Sequence, residues 1–555
     1  MNILLSRYKY LASTIIYIVI AFFVFIEIIL ALTPPIARDV LIHHLAIPKL
    51  WLKHGGFCDI PWAAYSYYPM NIDLLYLIPL YFGNDIVPNF IHMGFGIATA
   101  WLICCYLQNK LGRFAGLLGA VIFISTPIIV RMSTTAYVDL GLVFFTTASV
   151  LAFICWRDKE YKEHKWLFIS SMAMGFALGT KYNALIVWFF LFLAIVFVYS
   201  RDTGKQWKAI RYGLIFFIVS LVVFSPWLIK NLILTGNPFH PLFKSIFSNN
   251  IISNSGTYSV VSGDSYMGMF KMRELLYGES LWETLLIPIR FFFQGQDNSV
   301  RYFDGVLNPM LIVIVPFAFM NRKENADKLI FLFFSLFLIF AAFFLDQLRI
   351  RYFLPVVPFL VILTVIGLVN IFTWLADRAR PFKELYICGL IIILILLAAK
   401  NIIYLNNYFQ SIQPVNYILN KESKDEFITR HDRSYPAISY INKHTPENAR
   451  IRLILLAGRG YYLERIYEED TSSGMDTIRG LVNASEDNKS FQRYLDSLVC
   501  THLLIRYDLF QQFLHDNYSP KVVNQLSQQM VKVSDIIFSA NGYSVFRLRG
   551  DYSFR

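Results

Sequence analysis

The chain has 555 residues, of which 56% are hydrophobic, 17% aromatic and only 16% charged, whereas about a quarter of a soluble protein's residues are charged. This composition excludes a soluble enzyme, a disordered scaffold and a fibrous repeat, and it predicts a helical protein that crosses a membrane several times. The net charge of +12 does not indicate nucleic acid, because membrane proteins concentrate lysine and arginine in their cytoplasmic loops.

Long apolar runs predict the spanning helices, since crossing the hydrocarbon core takes about 20 predominantly apolar residues. Eleven runs are expected to span, at residues 11–32, 87–107, 114–132, 138–156, 166–180, 182–200, 212–229, 305–320, 329–345, 352–374 and 385–405. Two further runs, 72–82 and 284–293, are too short to cross and are expected to lie at the membrane interface.

The basic residues predict the orientation of these spans. With the N-terminus in the cytoplasm, the short inside loops are 108–113, 157–165, 201–211, 321–328 and 375–384. Each contains at least two lysines or arginines, as the positive-inside rule requires. The long outside segments are then 33–86 and 230–304, and the C-terminus lies outside. We therefore expect a multi-pass protein of the cytoplasmic (inner) membrane, and the Ser/Asn/Gly-rich stretch at 249–256 predicts a flexible loop.

The composition changes after about residue 406. Residues 1–406 are expected to form the membrane domain, and residues 407–555 a soluble α/β domain on the outside (periplasmic) face. Its predicted elements are a helix at 434–444 and strands at 451–456, 502–507, 536–539 and 543–548. The last two strands flank Asn541-Gly542, which is a strong hairpin signal. Gly458-Arg459-Gly460 is interpreted as a turn, because a lone Gly-x-Gly is weak evidence for phosphate binding.

The sharpest chemical feature is Arg38-Asp39, just after the first predicted span. His43 and His44 follow one turn later, and on a helix Asp39 and His43 would share one face. A carboxylate here could act as a general base or bind a metal, with a neighbouring histidine to orient it. The alternative is that Asp39 only caps a short interfacial helix over residues 40–53.

Two further ionisable residues interrupt apolar runs at the same predicted face. Asp139 lies where the third span turns into the fourth, and Lys181 lies between the fifth and the sixth. An ionisable residue at such depth is a functional candidate, and Lys181 could pair with a carboxylate or hold a phosphate. The structural alternatives are a helix cap for Asp139 and a lysine that reaches the interface for Lys181.

Basic residues also occur at the outside ends of two later spans. Lys230 closes the seventh span, and Arg349 and Arg351 precede the tenth. Arginine suits the bidentate binding of phosphate. Carboxylates and cations gathered at one face fit a reaction that activates a hydroxyl and releases a lipid phosphate.

The order of these motifs resembles the GT-C superfamily of polyprenyl-phosphate-sugar-dependent glycosyltransferases. The nearest branch is similar to family 39, which includes the protein O-mannosyltransferases and the lipid A aminoarabinose transferase. The resemblance covers about residues 10–405 and implies the GT-C fold. The shared features are Asp39 in the first outer loop, Tyr67-Tyr68-Pro69 before a short apolar helix, Asp139 after the third span, the Gly-x-x-x-Gly-Thr-Lys element at 175–181 and the Arg-Tyr-x-x-Pro element at 351–355.

This resemblance implies a donor sugar, a hexose or a pentose, on an undecaprenyl-type phosphate, and an acceptor hydroxyl on an envelope lipid, glycan or protein. It implies one inverting displacement, in which Asp39 is the base and Asp139 positions a cation or the acceptor. No nucleotide sugar is needed. The expected substrate-binding residues are His43, His44, Tyr67, Tyr68, Lys181, Tyr182, Lys230, Arg349, Arg351 and Tyr352. Many members carry an Asp-Glu pair where this chain has Arg38-Asp39, so a divalent cation is left open.

Three other classes of protein are alternatives. A multi-span transporter or flippase would show paired halves with matching broken helices, and the sequence shows no such pairing. An O-antigen ligase-type assembly protein centres on a large outer loop late in the chain, whereas the distinctive acid here lies in the first loop. A structural protein that kept the fold and lost the activity would not depend on Asp39.

Overall fold

The structure, a computed structural model, describes residues 2–247, 269–321, 325–344, 348–378, 383–470 and 475–549. The predicted flexible stretch at 249–256 lies outside these ranges. The first half of the membrane domain consists of α1 (Asn2–Ala31), α2 (Ala46–Lys53), α3 (Asn71–Tyr81), α4 (Val87–Leu111), α5 (Arg113–Ser125), α6 (Pro127–Ser133), α7 (Asp139–Asp158), α8 (His164–Leu178), α9 (Ala184–Thr203) and α10 (Gln206–Thr235).

Shorter helices follow before the last long ones. They are α11 (Lys244–Phe247), α12 (Met269–Tyr277), α13 (Leu281–Leu285), α14 (Ile287–Phe293) and α15 (Met310–Val313), and the long helices are α16 (Asn325–Phe343), α17 (Val357–Arg378) and α18 (Lys383–Ile412). Helical turns of 3-10 type occupy Ala64–Tyr67, Val315–Met320 and Ile350–Val356.

Eight of the predicted spans coincide with helical segments that are long and apolar enough to cross a membrane. They lie in α1, α4, α7, α9, α10, α16, α17 (with the 3-10 turn before it) and α18. The chain is thus a multi-pass, mostly helical membrane protein.

The other three predicted spans are not single full-length helices in the described chain. The run 114–132 forms α5 and α6, which are bent by 70° at Pro127, because proline cannot continue the hydrogen-bond ladder of the preceding helix. Helix α8 has only 15 residues. The run 305–320 is interrupted at Ile314, between the end of α15 and the 3-10 turn Val315–Met320, which has Pro316 near its start. Counting the bent pair as one span gives nine candidates.

Two glycines let the helices that carry the site approach closely. A Cβ at Gly175 of α8 would lie 2.7 Å from the Ser220 carbonyl of α10, and a Cβ at Gly179 would lie 2.1 Å from the Asn71 amide. Small residues at such contacts allow backbones to pack tightly in membranes. The Gly179 carbonyl also accepts the Asn71 backbone N–H at 2.8 Å. The glycines of the 175–181 element therefore fix α3 against the bundle.

The loop at 33–86, which we call the first outer loop because the sequence predicts it on the outside, folds over the bundle in pieces. The helix expected over 40–53 is a wide, π-type turn (Val40–His44) followed by α2, and the two meet at Leu45. The short run 72–82 forms α3, and the run 284–293 forms α13 and α14.

Residues after α18 form a separate helix-and-sheet domain. Its elements are α19 (Pro414–Ile418), α20 (Lys424–His431), α21 (Tyr435–His444), β1 (Arg450–Ile454), β2 (Ile466–Glu469), α22 (Asp476–Ala484), α23 (Asn488–Ser497), β3 (His502–Arg506), α24 (Tyr507–Asn517), α25 (Pro520–Val533), β4 (Ser534–Ala540) and β5 (Tyr543–Leu548). The strand order is β2-β1-β3-β5-β4.

The sheet of this domain is mixed. Strand β1 pairs in parallel with β2 and β3, and β5 pairs antiparallel with β3 and β4. The four predicted strands are present, and Asn541 and Gly542 both have positive φ, as a tight hairpin turn requires. Strand β2 was not predicted, because it is a four-residue edge strand with two glutamates among its residues.

The C-terminal domain docks on the first outer loop. Lys49 of α2 donates to the Tyr461 carbonyl at 2.8 Å and to the Glu464 carboxylate at 2.7 Å. Lys424 of α20 pairs with Asp85 at 2.7 Å. These contacts hold the domain over the loop that carries Asp39.

Candidate active site

A cavity of about 800 Å³ opens between the first outer loop, the second outer segment, α18 and the C-terminal domain. Asp39 lies on its wall. The charged residues that line it are Arg38, Asp39, Arg131, Asp297, Asp304, Arg349, Arg351 and Arg459. Pockets that bind ligands typically measure about 300–1,000 Å³, so the cavity can hold a sugar phosphate.

Asp39 does not cap the turn that follows it. Its side chain makes no capping hydrogen bond, and Asp39 Oδ2 lies 2.5 Å from Arg351 Nη1. Burial by itself would raise the pKa of Asp39, but the Arg351 guanidinium and the neighbouring His43 hold this pKa well below its usual range. The carboxylate is therefore ionised at neutral pH, so its oxygens can accept a hydrogen bond from a substrate hydroxyl.

Aromatic rings hold the Asp39–Arg351 pair in place. The guanidinium carbon of Arg351 lies 5.5 Å from the ring centroids of both Tyr137 and Tyr352, a distance typical of cation–π contacts. The Tyr76 hydroxyl donates a hydrogen bond to the Tyr137 carbonyl.

His43 and His44 lie beneath this pair. The His43 ring stacks on Tyr65 at a centroid distance of 4.3 Å, and its buried Nδ1 finds no hydrogen-bond partner among the described residues. His44 Nδ1 lies 2.7 Å from Asp73 Oδ1 of α3. Burial lowers the pKa of His44 to about 3 and raises the pKa of Asp73 to about 7. The contact is therefore a buried hydrogen bond to a neutral histidine rather than a full ion pair.

Asp139 and Lys181 form a second buried pair. Lys181 Nζ lies 2.7 Å from Asp139 Oδ1, and the Asp139 side chain is 0% exposed. Asp139 is the first residue of α7, where the helix dipole favours a negative charge. Lys181 Nζ also lies 5.8 Å from the Tyr352 ring centroid. Lys181 thus reaches a carboxylate inside the protein, not the membrane interface.

Of the ten expected substrate-binding residues, Arg349 and Arg351 line the cavity, whereas the other eight, and Asp139, are not part of its lining. Tyr67 donates to Asp59 at 2.6 Å, and Tyr182 donates to the His240 carbonyl at 3.0 Å. The Tyr68 ring contacts Tyr182 edge-on.

Lys230 holds the first outer loop. Its ammonium donates to the Ser66 carbonyl and lies 4.9 Å from the Trp227 ring centroid. Lys230, expected from the order of the spans to lie beside the other cations, thus contacts a backbone carbonyl and an indole face and is not part of the cavity lining.

Sequence reasoning missed a charged cluster on the opposite wall. Arg131 Nη1 of α6 lies 2.9 Å from Asp297 Oδ1 and 3.0 Å from Asp304 Oδ1. Arg349 Nη1 lies 3.7 Å from Asp304 Oδ2, and the Tyr404 hydroxyl of α18 donates to Asp297 at 2.6 Å. The available signal was Arg131, an arginine inside the apolar run 114–132.

The described residues do not offer a metal site. No group of three or more His, Cys, Asp or Glu side chains in the described ranges is placed to hold a metal ion. The carboxylates near the cavity face cations instead: Asp39 faces Arg351, Asp139 faces Lys181, and Asp297 and Asp304 face Arg131.

Comparisons with known proteins give a partial match to one family and matches of fold. Residues 63–247 match the sequence model of the family described as dolichyl-phosphate-mannose-protein mannosyltransferase. This region contains Asp139 and Lys181, whereas Asp39 precedes it. No curated protein matches the chain by sequence.

Two solved structures share the fold. The crystal structure of ArnT from Cupriavidus metallidurans bound to undecaprenyl phosphate superposes with a TM-score of 0.56 at 12% identity, over 98% of this chain and 99% of that chain. The oligosaccharyltransferase AglB from Archaeoglobus fulgidus, in complex with an inhibitory peptide and a dolichol-phosphate, superposes with a TM-score of 0.52 at 11% identity, over 97% and 75%.

Proposed function

We propose that this chain, a member of the GT-C superfamily of membrane glycosyltransferases, moves a sugar from a polyprenyl phosphate to a hydroxyl acceptor at the outer face of the cytoplasmic membrane. One observation carries the proposal. The ionised Asp39 carboxylate and the guanidinium groups of Arg349 and Arg351 line the same cavity. The transfer of a sugar from a lipid phosphate requires a proton acceptor and anion-binding groups in one cavity.

Each group has a role in one displacement step. Asp39 accepts the proton of the acceptor hydroxyl, and the oxygen of that hydroxyl attacks the anomeric carbon. The bond from this carbon to the phosphate oxygen breaks, and the polyprenyl phosphate leaves with the electron pair. A single displacement inverts the anomeric configuration.

The arginines act on the leaving group. Because the leaving group is already an anionic phosphate, stabilising its charge matters more than protonating it. The Nε atoms of Arg349 and Arg351 are buried and have no partner among the described residues. Both side chains line the cavity, and the planar guanidinium group suits the bidentate binding of a phosphate.

The neighbouring residues hold this arrangement in position. The Asp139–Lys181 pair contacts the Tyr352 ring beside Arg351. His43 and His44 form the turn that begins at Asp39. We assign Tyr67, Tyr68, Tyr182 and Lys230 to the support of the first outer loop, since they contact that loop and its neighbours rather than the cavity.

The class of donor follows from the fold relatives. One is a complex with undecaprenyl phosphate and the other a complex with a dolichol-phosphate. We therefore propose an undecaprenyl-type phosphate that carries a hexose or a pentose. The acceptor is an envelope lipid, glycan or protein, and the C-terminal domain lies on the same outer side as the cavity.

A transfer assay tests this function. The purified protein in nanodiscs is given a panel of radiolabelled undecaprenyl-phosphate sugars, with total envelope extract as the acceptor. Wild type is run beside Asp39→Asn and beside Asp516→Asn, a control at an exposed residue of α24. We expect label in a lipid, glycan or protein product with wild type and the control, but not with Asp39→Asn.

The outcomes separate the parts of the proposal. Equal transfer by Asp39→Asn would overturn the role of Asp39 as the base. Absence of transfer from every donor in the panel would count against glycosyl transfer itself. A retained anomeric configuration in the product would overturn the single displacement.

A further inference from the structure

The arginines of the cavity fall into two groups by their exposure. Arg131, Arg349 and Arg351 each face a carboxylate, and their side chains are 14%, 18% and 9% exposed. Arg38 is exposed and makes no ion pair or hydrogen bond with any residue in the described ranges. Arg459, from the C-terminal domain, is 32% exposed. We call Arg38 and Arg459 the cationic rim.

Arg459 is only weakly engaged by the protein. Its Nη1 lies 3.5 Å from Asp432 Oδ1, at the limit of a hydrogen bond. The same oxygen already accepts the Ser434 backbone N–H at 3.0 Å and the Ser434 hydroxyl at 2.7 Å. Most of the hydrogen-bonding capacity of the Arg459 guanidinium is therefore available to a ligand.

The two glycines beside Arg459 fix its path. Gly458 has a φ of +82°, a conformation that favours glycine, and its N–H donates to the Glu469 carboxylate at 2.8 Å. A Cβ at Gly460 would lie 2.2 Å from the Tyr467 ring. The Gly-x-Gly element thus forms a tight turn that directs Arg459 to the cavity, where it belongs to the lining.

This turn packs directly on the segment that carries Asp39. A Cβ at Gly458 would lie 2.8 Å from Cγ2 of Ile42, three residues after Asp39. The Tyr462 hydroxyl donates to the Pro35 carbonyl at 2.7 Å. The C-terminal domain therefore contacts the first outer loop on both sides of Asp39.

The balance of charge favours an anionic ligand. Five arginines and three aspartates line the cavity. Of these arginines, Arg38 has no carboxylate partner in the described ranges, and Arg459 has only the long contact of 3.5 Å to Asp432. An anion placed between Arg38 and Arg459 would lower the excess of positive charge and accept charge-assisted hydrogen bonds.

We propose that the cationic rim binds an anionic group of a substrate, so that the C-terminal domain supplies part of the transfer site through Arg459. The anion is either the phosphate of the polyprenyl donor or an acidic group on the acceptor. This inference rests on the proposed function for the identity of the substrates, and it makes Arg459 a substrate-binding residue.

The experiment has a binding arm and a transfer arm. The binding arm measures the affinity of the full-length protein in detergent for undecaprenyl phosphate, without any transfer. The transfer arm measures the KM for acceptor and the kcat in the nanodisc assay. Both use wild type, Arg459→Ala, Arg459→Lys and Arg493→Ala, a control at an exposed arginine of α23.

The two sources of the anion give different results. If the anion is the donor phosphate, Arg459→Ala weakens the binding of undecaprenyl phosphate by about tenfold or more, the loss expected for one charge-assisted hydrogen bond. If it belongs to the acceptor, that binding is unchanged and the KM for acceptor rises by a similar factor. In either case Arg459→Lys recovers part of the loss and Arg493→Ala behaves as wild type.

Unchanged affinity and unchanged KM in Arg459→Ala would overturn the proposal. If wild type itself transfers no sugar, the proposed function has failed independently. The binding arm then decides alone, and unchanged affinity for undecaprenyl phosphate would overturn the role of Arg459.

Discussion

The two ends of α7 carry buried clusters of acids and bases that look alike in composition and differ in surroundings. At the N-terminal end, Asp139 pairs with Lys181 next to the Asp39–Arg351 pair. At the C-terminal end, about 30 Å away for a helix of this length, Arg157 pairs with Asp327 of α16. We call the second group the Asp327 cluster.

The Asp327 cluster joins three helices. Asp327 is 0% exposed and lies 3.4 Å from Lys110 of α4, while it also accepts hydrogen bonds from Arg157 and from the Tyr106 hydroxyl. None of these residues lines the large cavity. Asp39 and Arg351 do line it. A buried ion pair by itself therefore indicates only that it holds helices together. A buried ion pair that lines a cavity indicates a candidate catalytic site.

The largest expected effect is on catalysis at the cavity. Asp39→Asn cannot accept the acceptor proton, so we expect the transfer rate to fall by about 10²- to 10⁴-fold, the usual contribution of a general base. The Asp39 side chain is 19% exposed and asparagine can still accept a hydrogen bond from Arg351, so we expect a smaller fall in the melting temperature than for a fully buried pair. A transfer rate of Asp39→Asn within a few-fold of wild type would show that the two ends of α7 do not differ in their role in catalysis.

At the C-terminal end of α7 we expect a loss of stability without a loss of transfer rate. Asp327→Asn removes a fully buried counter-charge and leaves Arg157 and Lys110 with only Asp158, whose side chain is 35% exposed. We expect a loss of stability toward the lower end of the about 3–5 kcal/mol typical of a broken buried pair. Thermal unfolding should show a clearly lower melting temperature, while the transfer rate per folded molecule stays unchanged. A normal melting temperature with a lost rate would show that this cluster takes part in the reaction.

The pH dependence of the transfer rate tests the role of Arg351. Arg351 holds the pKa of Asp39 low, so the carboxylate should remain ionised, and the transfer rate flat, down to below about pH 4. In Arg351→Gln the same burial acts without that cation, so the pKa of Asp39 rises and the acid limb of the rate profile should move up by about 1–3 units. If the transfer rate falls at the same acidic pH in both proteins, Arg351 does not set the pKa of Asp39.

The smallest expected effect concerns His44. Because burial raises the pKa of Asp73 to about 7, a neutral amide is a close substitute, and Asp73→Asn should unfold within a few degrees of wild type. Asp73→Ala leaves the His44 Nδ1 buried without a partner, which costs about 1–3 kcal/mol. Equal melting temperatures for the two variants would show that this hydrogen bond does not hold the turn.

The sequence predicted the elements that depend on local pattern. The apolar runs located eight full-length spans, and the Asn541-Gly542 hairpin followed from turn chemistry. Asp39, Asp139 and Lys181 stood out because each is a charge between apolar runs. Pro127 could have predicted the bend between α5 and α6. Counting apolar residues alone did not take this proline into account.

The sequence could not predict which charges meet across long separations. Asp297 and Asp304 face Arg131 from more than 160 residues further along the chain, and no local pattern encodes that contact. Lys230 looked like a fourth cation of the site, yet it turns to the Ser66 carbonyl. Arg459 enters the cavity only because the C-terminal domain docks on the first outer loop.

The most direct test of the account is a cryo-electron-microscopy structure of the protein in nanodiscs with undecaprenyl phosphate. We predict the phosphate inside the cavity, within hydrogen-bond distance of at least one guanidinium group among Arg349, Arg351 and Arg459, and on the same side as Asp39. A phosphate bound outside this cavity, whether at the Asp327 cluster or on the lipid-facing surface, would contradict the account.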